Sequence, residues 1–278
     1  MQNIYQHLIK KRILNSFLFS IVNYFKYVNI YLQLIFKGDV FMTNYEKSIE
    51  MIGKMKENKY DTRVDHFIKE IRTLNLPKTI KATRLLLSEM TAEKGFVRHD
   101  GRDYFVHPIA IAQTALDFEI ISKLIQDGES RKADTILATC LLHDILEDVP
   151  TITKDDLRKD YGIDVMSNVD NVSKREGEPF EEYIERFSSN EISSLVKILD
   201  RLNNVSTLDK SSLKHRQKQL IETRKVYLPL TKVYRRQYWE YGNFYFQARL
   251  IMTSILNVIE QYNIQEEKAM ELEKRLKQ

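Results

Sequence analysis

The chain has 278 residues, 29% of them charged and 43% hydrophobic, an ordinary balance for a soluble protein able to bury a substantial core. Its net charge of +4 comes from Lys and Arg interleaved with Asp and Glu. That argues against a dedicated nucleic-acid binder, which concentrates its basic residues in a stripe, but leaves room for a small phosphorylated substrate. The single cysteine, Cys140, excludes an intrachain disulfide and fits a reducing, cytoplasmic location.

The first forty-odd residues differ from the rest. Ile13 to Phe36 form an apolar run behind Lys10, Lys11 and Arg12, the outline of a membrane-spanning helix. Lys26 near its middle and four Asn or Gln residues spoil that reading. Residues 1–41 contain no Ala and no Pro, and no acidic residue before Asp39. They are rich in residues of A/T-rich codons, and "KGDVF" before Met42 is compatible with an encoded ribosome-binding sequence. Residues 1–41 are therefore expected to be translated leader, with Met42 as the native start and no membrane contact. A membrane anchor is the second reading.

From Met42 to Gln278 the pattern predicts a single domain, nearly all helix. Pro77 opens a helix that Gly95 stops. "GFVRHDGRDYFVHP" is a turn-rich loop of the kind that carries site residues. A helix is predicted from about His107 to the break at Asp127-Gly128. "ADTILATCLLHDILEDV", apolar nearly all round, predicts one central buried helix. Thr153 should cap a short helix ending at Gly162. "NEISSLVKILDRLNNVSTL" is amphipathic, with Leu195, Ile198, Leu199 and Leu202 as its apolar stripe. Two further helices are expected near Gln217–Val226 and Tyr241–Tyr262, with a solvated helical or disordered tail.

The chemistry lies in "LLHDILEDV". A His-Asp pair inside an apolar run is costly unless something satisfies it. A metal lying between the directions of His143 and Asp144 could be reached by both. Glu147 and Asp148 follow one helical turn later. His107, which taken alone before Pro108 would read as structural, can add an imidazole, and Asp200 within "VKILDRL" a carboxylate. Two imidazoles and two carboxylates make a mixed site suited to manganese, with iron or zinc as other divalent candidates.

"RHDGRDYFVHP", "LLHDILEDV" and "KILDRLNNVSTL", in this order, resemble the HD-domain metal phosphohydrolases. The nearest likeness is to the hydrolase domain of RelA/SpoT-type alarmone enzymes and to small alarmone hydrolases. It covers Lys78 to Leu208 in its motifs and continues weakly through "ETRKVYLPL". The resemblance implies an all-α HD-domain bundle with a metal site at its centre. It puts His107, His143, Asp144 and Asp200 on manganese ligands, and Glu147 and Asp148 on the pair that handles water and its protons. Arg98 falls on a residue packing against guanine, and Asn204 and Thr207 on positions lining the nucleoside. His99 and Asp100 stand where the family has Lys-Ser, and Asn203 where it commonly has His. These departures are expected to touch base and ribose recognition rather than the metal.

The implied activity is removal of the 3′-pyrophosphate from guanosine tetra- or pentaphosphate; a cognate alarmone-synthetase toxin is a candidate partner, and whether the chain is an antitoxin is open. The alternatives are an HD phosphohydrolase acting on NADPH, on adenosine alarmones or on a pyrophosphorylated tRNA end. A non-enzymatic antitoxin acting by contact is a further one. Oligomeric state is open.

Overall fold

The computed structural model describes residues 62–98 and 101–276. The expected leader and the start at Met42 lie outside the described residues, as do His99 and Asp100. Among the described residues there is no β-strand, and Val97 and Asp103 form an isolated antiparallel bridge that pinches the loop before His107. No described helix is long and apolar enough to cross a membrane.

Thirteen α-helices occur among the described residues. α1 (Thr62–Thr73) and α2 (Pro77–Glu89) precede the Arg98 loop, and α3 (Val106–Asp117) and α4 (Ile120–Gln126) follow it. α5 (Ser130–Leu142) is the central element, buried at every position from Ala133 to Leu142. α6 (Ile145–Asp148) continues from it, then α7 (Lys154–Tyr161), α8 (Ile163–Val172) and α9 (Phe180–Ser188). α10 (Glu191–Ser206) is the second buried helix, and α11 (Leu213–Glu222), α12 (Leu228–Gln237) and α13 (Gly242–Leu276) close the bundle. α5 packs against α2, α3, α8 and α10, while α10 also meets α3, α8 and α13. The domain is thus an all-α bundle in which one of the two innermost helices leads directly into His143-Asp144 and the other carries Asp200.

Local chemistry sets the boundaries. Thr153 and Asp156 form a reciprocal capping box at the start of α7, and Gly162, at φ 87°, ends it. The N-terminus of α2 is capped from a distance: the buried Asp134 of α5 accepts hydrogen bonds from the Lys78 and Thr79 amides and the Thr79 hydroxyl. This satisfies donors that a helix start leaves orphaned, and pins α2 to the central helix.

Three expected boundaries are corrected. The helix from Pro77 ends at Glu89, and Gly95 instead stops a separate turn at Ala92–Lys94. The helix expected from His107 to Asp127 is two helices, because Glu119 takes a left-handed conformation at φ 59° between them. The central helix does not run unbroken through Val149: it leaves helical hydrogen bonding at His143 and Asp144 and restarts at Ile145. The tail is helical to Leu276.

Candidate metal centre

The break between α5 and α6 resolves a difficulty posed by adjacent ligands. Consecutive residues on a regular helix point about 100° apart. At the turn, His143 and Asp144 instead converge, and His143 Nε2 lies 2.9 Å from Asp144 Oδ2. α3 brings in His107 from its first turn, and α10 brings in Asp200 from its buried face. His107 Nε2 lies 3.3 Å from Asp200 Oδ1 and 3.9 Å from Asp144 Oδ2, and His143 Nε2 is 3.8 Å from Asp200 Oδ1. His107, His143 and Asp200 place one ligand atom each within 4.8 Å of one another, and all three are buried.

Hydrogen bonds on the far side of each ring fix which nitrogen faces this centre. His143 Nδ1 is 2.9 Å from the Cys140 carbonyl oxygen, which can only accept, so Nδ1 carries the hydrogen. His107 Nδ1 likewise donates to Asn203 Oδ1 at 2.7 Å. In neutral rings both Nε2 lone pairs then face inward, the arrangement by which outer hydrogen bonds orient ligand imidazoles. His143 Nε2 is buried and, despite its short distance to Asp144, makes no hydrogen bond. An orphaned imidazole nitrogen beside two carboxylates is what a divalent cation would satisfy, so these residues fit a metal.

The electrostatics agree. Burial disfavours a charge on His143, but the Asp144 and Asp200 carboxylates outweigh it and push its pKa up to about 9. Burial alone would raise Asp200, yet Lys197 and the two imidazoles hold it well below the usual carboxylate range. Asp144 is also lowered against its burial, by His143 and His107. The carboxylates thus stay ionised and draw positive charge to the centre.

Sequence reasoning missed Lys197. It is buried, its Nζ lies 3.0 Å from Asp200 Oδ2, and it sits over the Tyr183 ring at 5.4 Å. The signal was present: Lys197 and Asp200 are three apart, hence on one helix face, within the apolar "LVKILDRL". Tyr104 was missed as well, and its hydroxyl donates to Asp144 Oδ2 at 2.6 Å.

Glu147 and Asp148 border the centre from α6. Burial raises both carboxyl groups, and the negative Asp144 adds to the effect. Glu147 keeps solvent access at its outer edge and accepts the Lys174 amide at 2.8 Å. The loop bearing Lys174 is clamped by Arg186, whose guanidinium binds both Glu178 oxygens and the carbonyls of Asp170, Asn171 and Ser173.

Of the expected substrate residues, Arg98 donates to Thr207 Oγ1 at 3.4 Å and lies 5.7 Å over the Tyr104 ring. These two therefore come together, linked through Tyr104 to Asp144. Asn204 turns its amide nitrogen to Asp200 Oδ1 at 2.6 Å, so it supports a ligand carboxylate. Asn203, expected to bear on base and ribose recognition, instead orients His107. Both positions lie about one turn beyond Asp200 on α10.

The chain is similar to relatives of known name. A protein of Haemophilus influenzae named guanosine-3′,5′-bis(diphosphate) 3′-pyrophosphohydrolase is 32% identical over 150 residues, 50% of this chain and 20% of its own length. Over about half of its length the chain is thus similar to proteins of the RelA/SpoT type. Escherichia coli SpoT, named bifunctional (p)ppGpp synthase/hydrolase, is 29% identical over 150 residues, again 50% of this chain and 20% of its own. The chain thus spans about one fifth of the length of the curated relatives it matches. A solved structure of a metazoan ortholog of SpoT, described as hydrolysing ppGpp, aligns with a TM-score of 0.45 and 17% identity over 66% of this chain and 94% of its own. No family model matches the chain.

Proposed function

We propose that this domain is a metal-dependent pyrophosphohydrolase of the RelA/SpoT type, removing the 3′-pyrophosphate from guanosine tetra- and pentaphosphate in the cytoplasm, with manganese as its ion. The observation that carries the reading is the buried meeting of His107 and His143 Nε2 with the Asp200 carboxylate, one orphaned nitrogen included, with the half-buried Asp144 Oδ2 2.9 Å from His143 Nε2. His107, His143, Asp144 and Asp200 would hold the ion. When bound, a divalent ion there supplies a Lewis acid that polarises a phosphate oxygen and lowers the pKa of water.

The chain's own residues do the rest. Burial and the negative Asp144 raise the Glu147 and Asp148 carboxyls above their ordinary values, which favours their holding a proton for transfer. Glu147, held by the Lys174 amide, would take a proton from the attacking water or return one to the leaving 3′ oxygen. Asp148 would share that task. Arg98, paired with Thr207, would pack its guanidinium plane on the guanine. The Asn204 amide oxygen, with its nitrogen committed to Asp200, would accept from the ribose.

The test is a substrate panel of guanosine and adenosine alarmones, NADPH and 3′-pyrophosphorylated tRNA, assayed with manganese and after chelation. Guanosine alarmones should be hydrolysed fastest, and only with metal. Faster turnover of another member, or indifference to the chelator, would overturn the reading. A metal-ligand variant that still neutralised a cognate synthetase toxin would transfer the antitoxin role from hydrolysis to contact.

A further inference from the structure

The longest helix among the described residues, α13, carries two apolar faces. One is buried against the bundle and includes Tyr245, Met252, Leu256 and Ile259. The other lies about a third of a turn away around the helix, by the 100° step per residue. It recurs at alternating steps of four and three residues from Ile251 to Leu276. One set of heptad positions holds Ile251, Val258, Gln265 and Leu272, and the alternate set holds Ile255, Tyr262, Ala269 and Leu276. This is the spacing of a coiled-coil seam, sustained for nearly four heptads. Much of it faces solvent, with Val258 68% exposed, Leu272 59% and Leu276 79%, while Ile255 is half-buried and Tyr262 lies beneath the Arg216 guanidinium.

The residues flanking the seam specify what would cover it. With Ile251 at position d, the e positions of the outer half are Glu266, which pairs with Arg216 of α11, and Glu273, and the g positions are Lys268 and Arg275, the latter paired with Glu271. In a parallel pair of identical helices, g meets e of the next heptad on the partner, so Lys268 faces Glu273. In an antiparallel pair, g meets g and e meets e, which opposes like charges. Gln265 is the one polar residue in the seam, a device that fixes register at some cost in stability. Because the body of each domain lies to one side of the seam, a two-fold axis along it places the two bodies apart.

We infer that the exposed face of α13 binds a second copy of this chain, forming a parallel two-stranded coiled coil through Ile251–Leu276. The inference is independent of the catalytic reading, since no residue of the seam belongs to the metal centre.

The experiment is light scattering with size-exclusion chromatography, and sedimentation equilibrium, on the full chain over about 1–100 μM, a range that reads micromolar association. The wild type should be dimeric at the upper end. Val258→Glu with Leu272→Glu should be monomeric at every concentration with unchanged helical circular dichroism, since neither side chain belongs to the buried face. Lys268→Glu should raise the dissociation constant by roughly three- to tenfold, as expected for two flanking pairs turned repulsive. Lys268→Glu combined with Glu273→Lys should restore it. A monomeric wild type at 100 μM would overturn the inference, as would a dimer untouched by the double Glu variant. Failure of the charge exchange to restore affinity would overturn the parallel arrangement. A wild type that dimerised only after removal of residues 1–61 would show that the chain covers the face itself, also overturning it.

Discussion

Lys197→Met isolates the electrostatics of the metal centre, because Met keeps most of the side chain's apolar bulk while deleting its charge. Lys197 Nζ and Asp200 Oδ2 are 3.0 Å apart, with side-chain exposures of 10% and 8%. At an effective dielectric of about 20, the gross attraction at that distance is roughly 5 kcal/mol. Part of this is offset because the lysine no longer has to be desolvated, and removing one partner of a buried pair costs about 3–5 kcal/mol in net terms. In chelator, the variant should therefore unfold about 3 kcal/mol more easily by urea denaturation. The cation–π contact with Tyr183 is lost in either metal state. The Asp200 carboxylate is different, because a divalent ion can take over its neutralisation. Saturating manganese should recover part of the loss, and the variant should bind manganese more tightly than the wild type. Stability in chelator within about 0.5 kcal/mol of wild type, the spread of ordinary surface changes, would refute the reasoning. So would an identical loss with and without metal.

His143→Ala and Asp144→Ala should each lose bound metal and activity together, checked by elemental analysis of purified protein alongside the hydrolysis assay. Undiminished manganese in both would reject their assignment as ligands. Glu147→Gln should keep metal content near wild type while turnover falls by about 10²–10⁴, the usual contribution of a positioned acid or base. Loss of metal in that variant would make Glu147 a ligand, and full activity would make it a solubilising acid. Glu178→Gln should loosen the loop that holds Glu147, seen as faster hydrogen exchange at residues 174–178. The Arg186 hydrogen bonds lower the Glu178 pKa from its ordinary 4.5, against the opposing effect of burial. Its contribution to stability is therefore full above about pH 4.5 and lost as pH falls through the lower folded value, so the variant should flatten the acid limb of the stability profile.

The helical character and the ligand candidates were legible because they depend on local spacing. Leu195, Ile198, Leu199 and Leu202 repeat on one face and are buried in α10. Thr153 and Asp156 stand three apart and form their capping box. The breaks at Glu119 and at His143-Asp144 were not legible, since neither site holds Gly or Pro and both follow from how the helices pack. Lys197 and Asn203 were hidden for another reason. A lysine and an asparagine are ordinary on a helix, and only the tertiary approach of Asp200 and His107 gives them their partners. Asn204 shows the same limit: the family resemblance set it against the nucleoside, whereas its hydrogen bond to Asp200 depends on the folded helix.

The most direct test is to strip the protein of metal, add back manganese in measured steps, and follow bound metal and the products from guanosine tetraphosphate in the same samples. Activity should rise in proportion to occupancy of one site per chain, releasing pyrophosphate and leaving GDP, and His107→Ala should abolish both signals. Hydrolysis that proceeds at zero occupancy, or metal that binds fully in His107→Ala, would contradict a catalytic metal held by these residues.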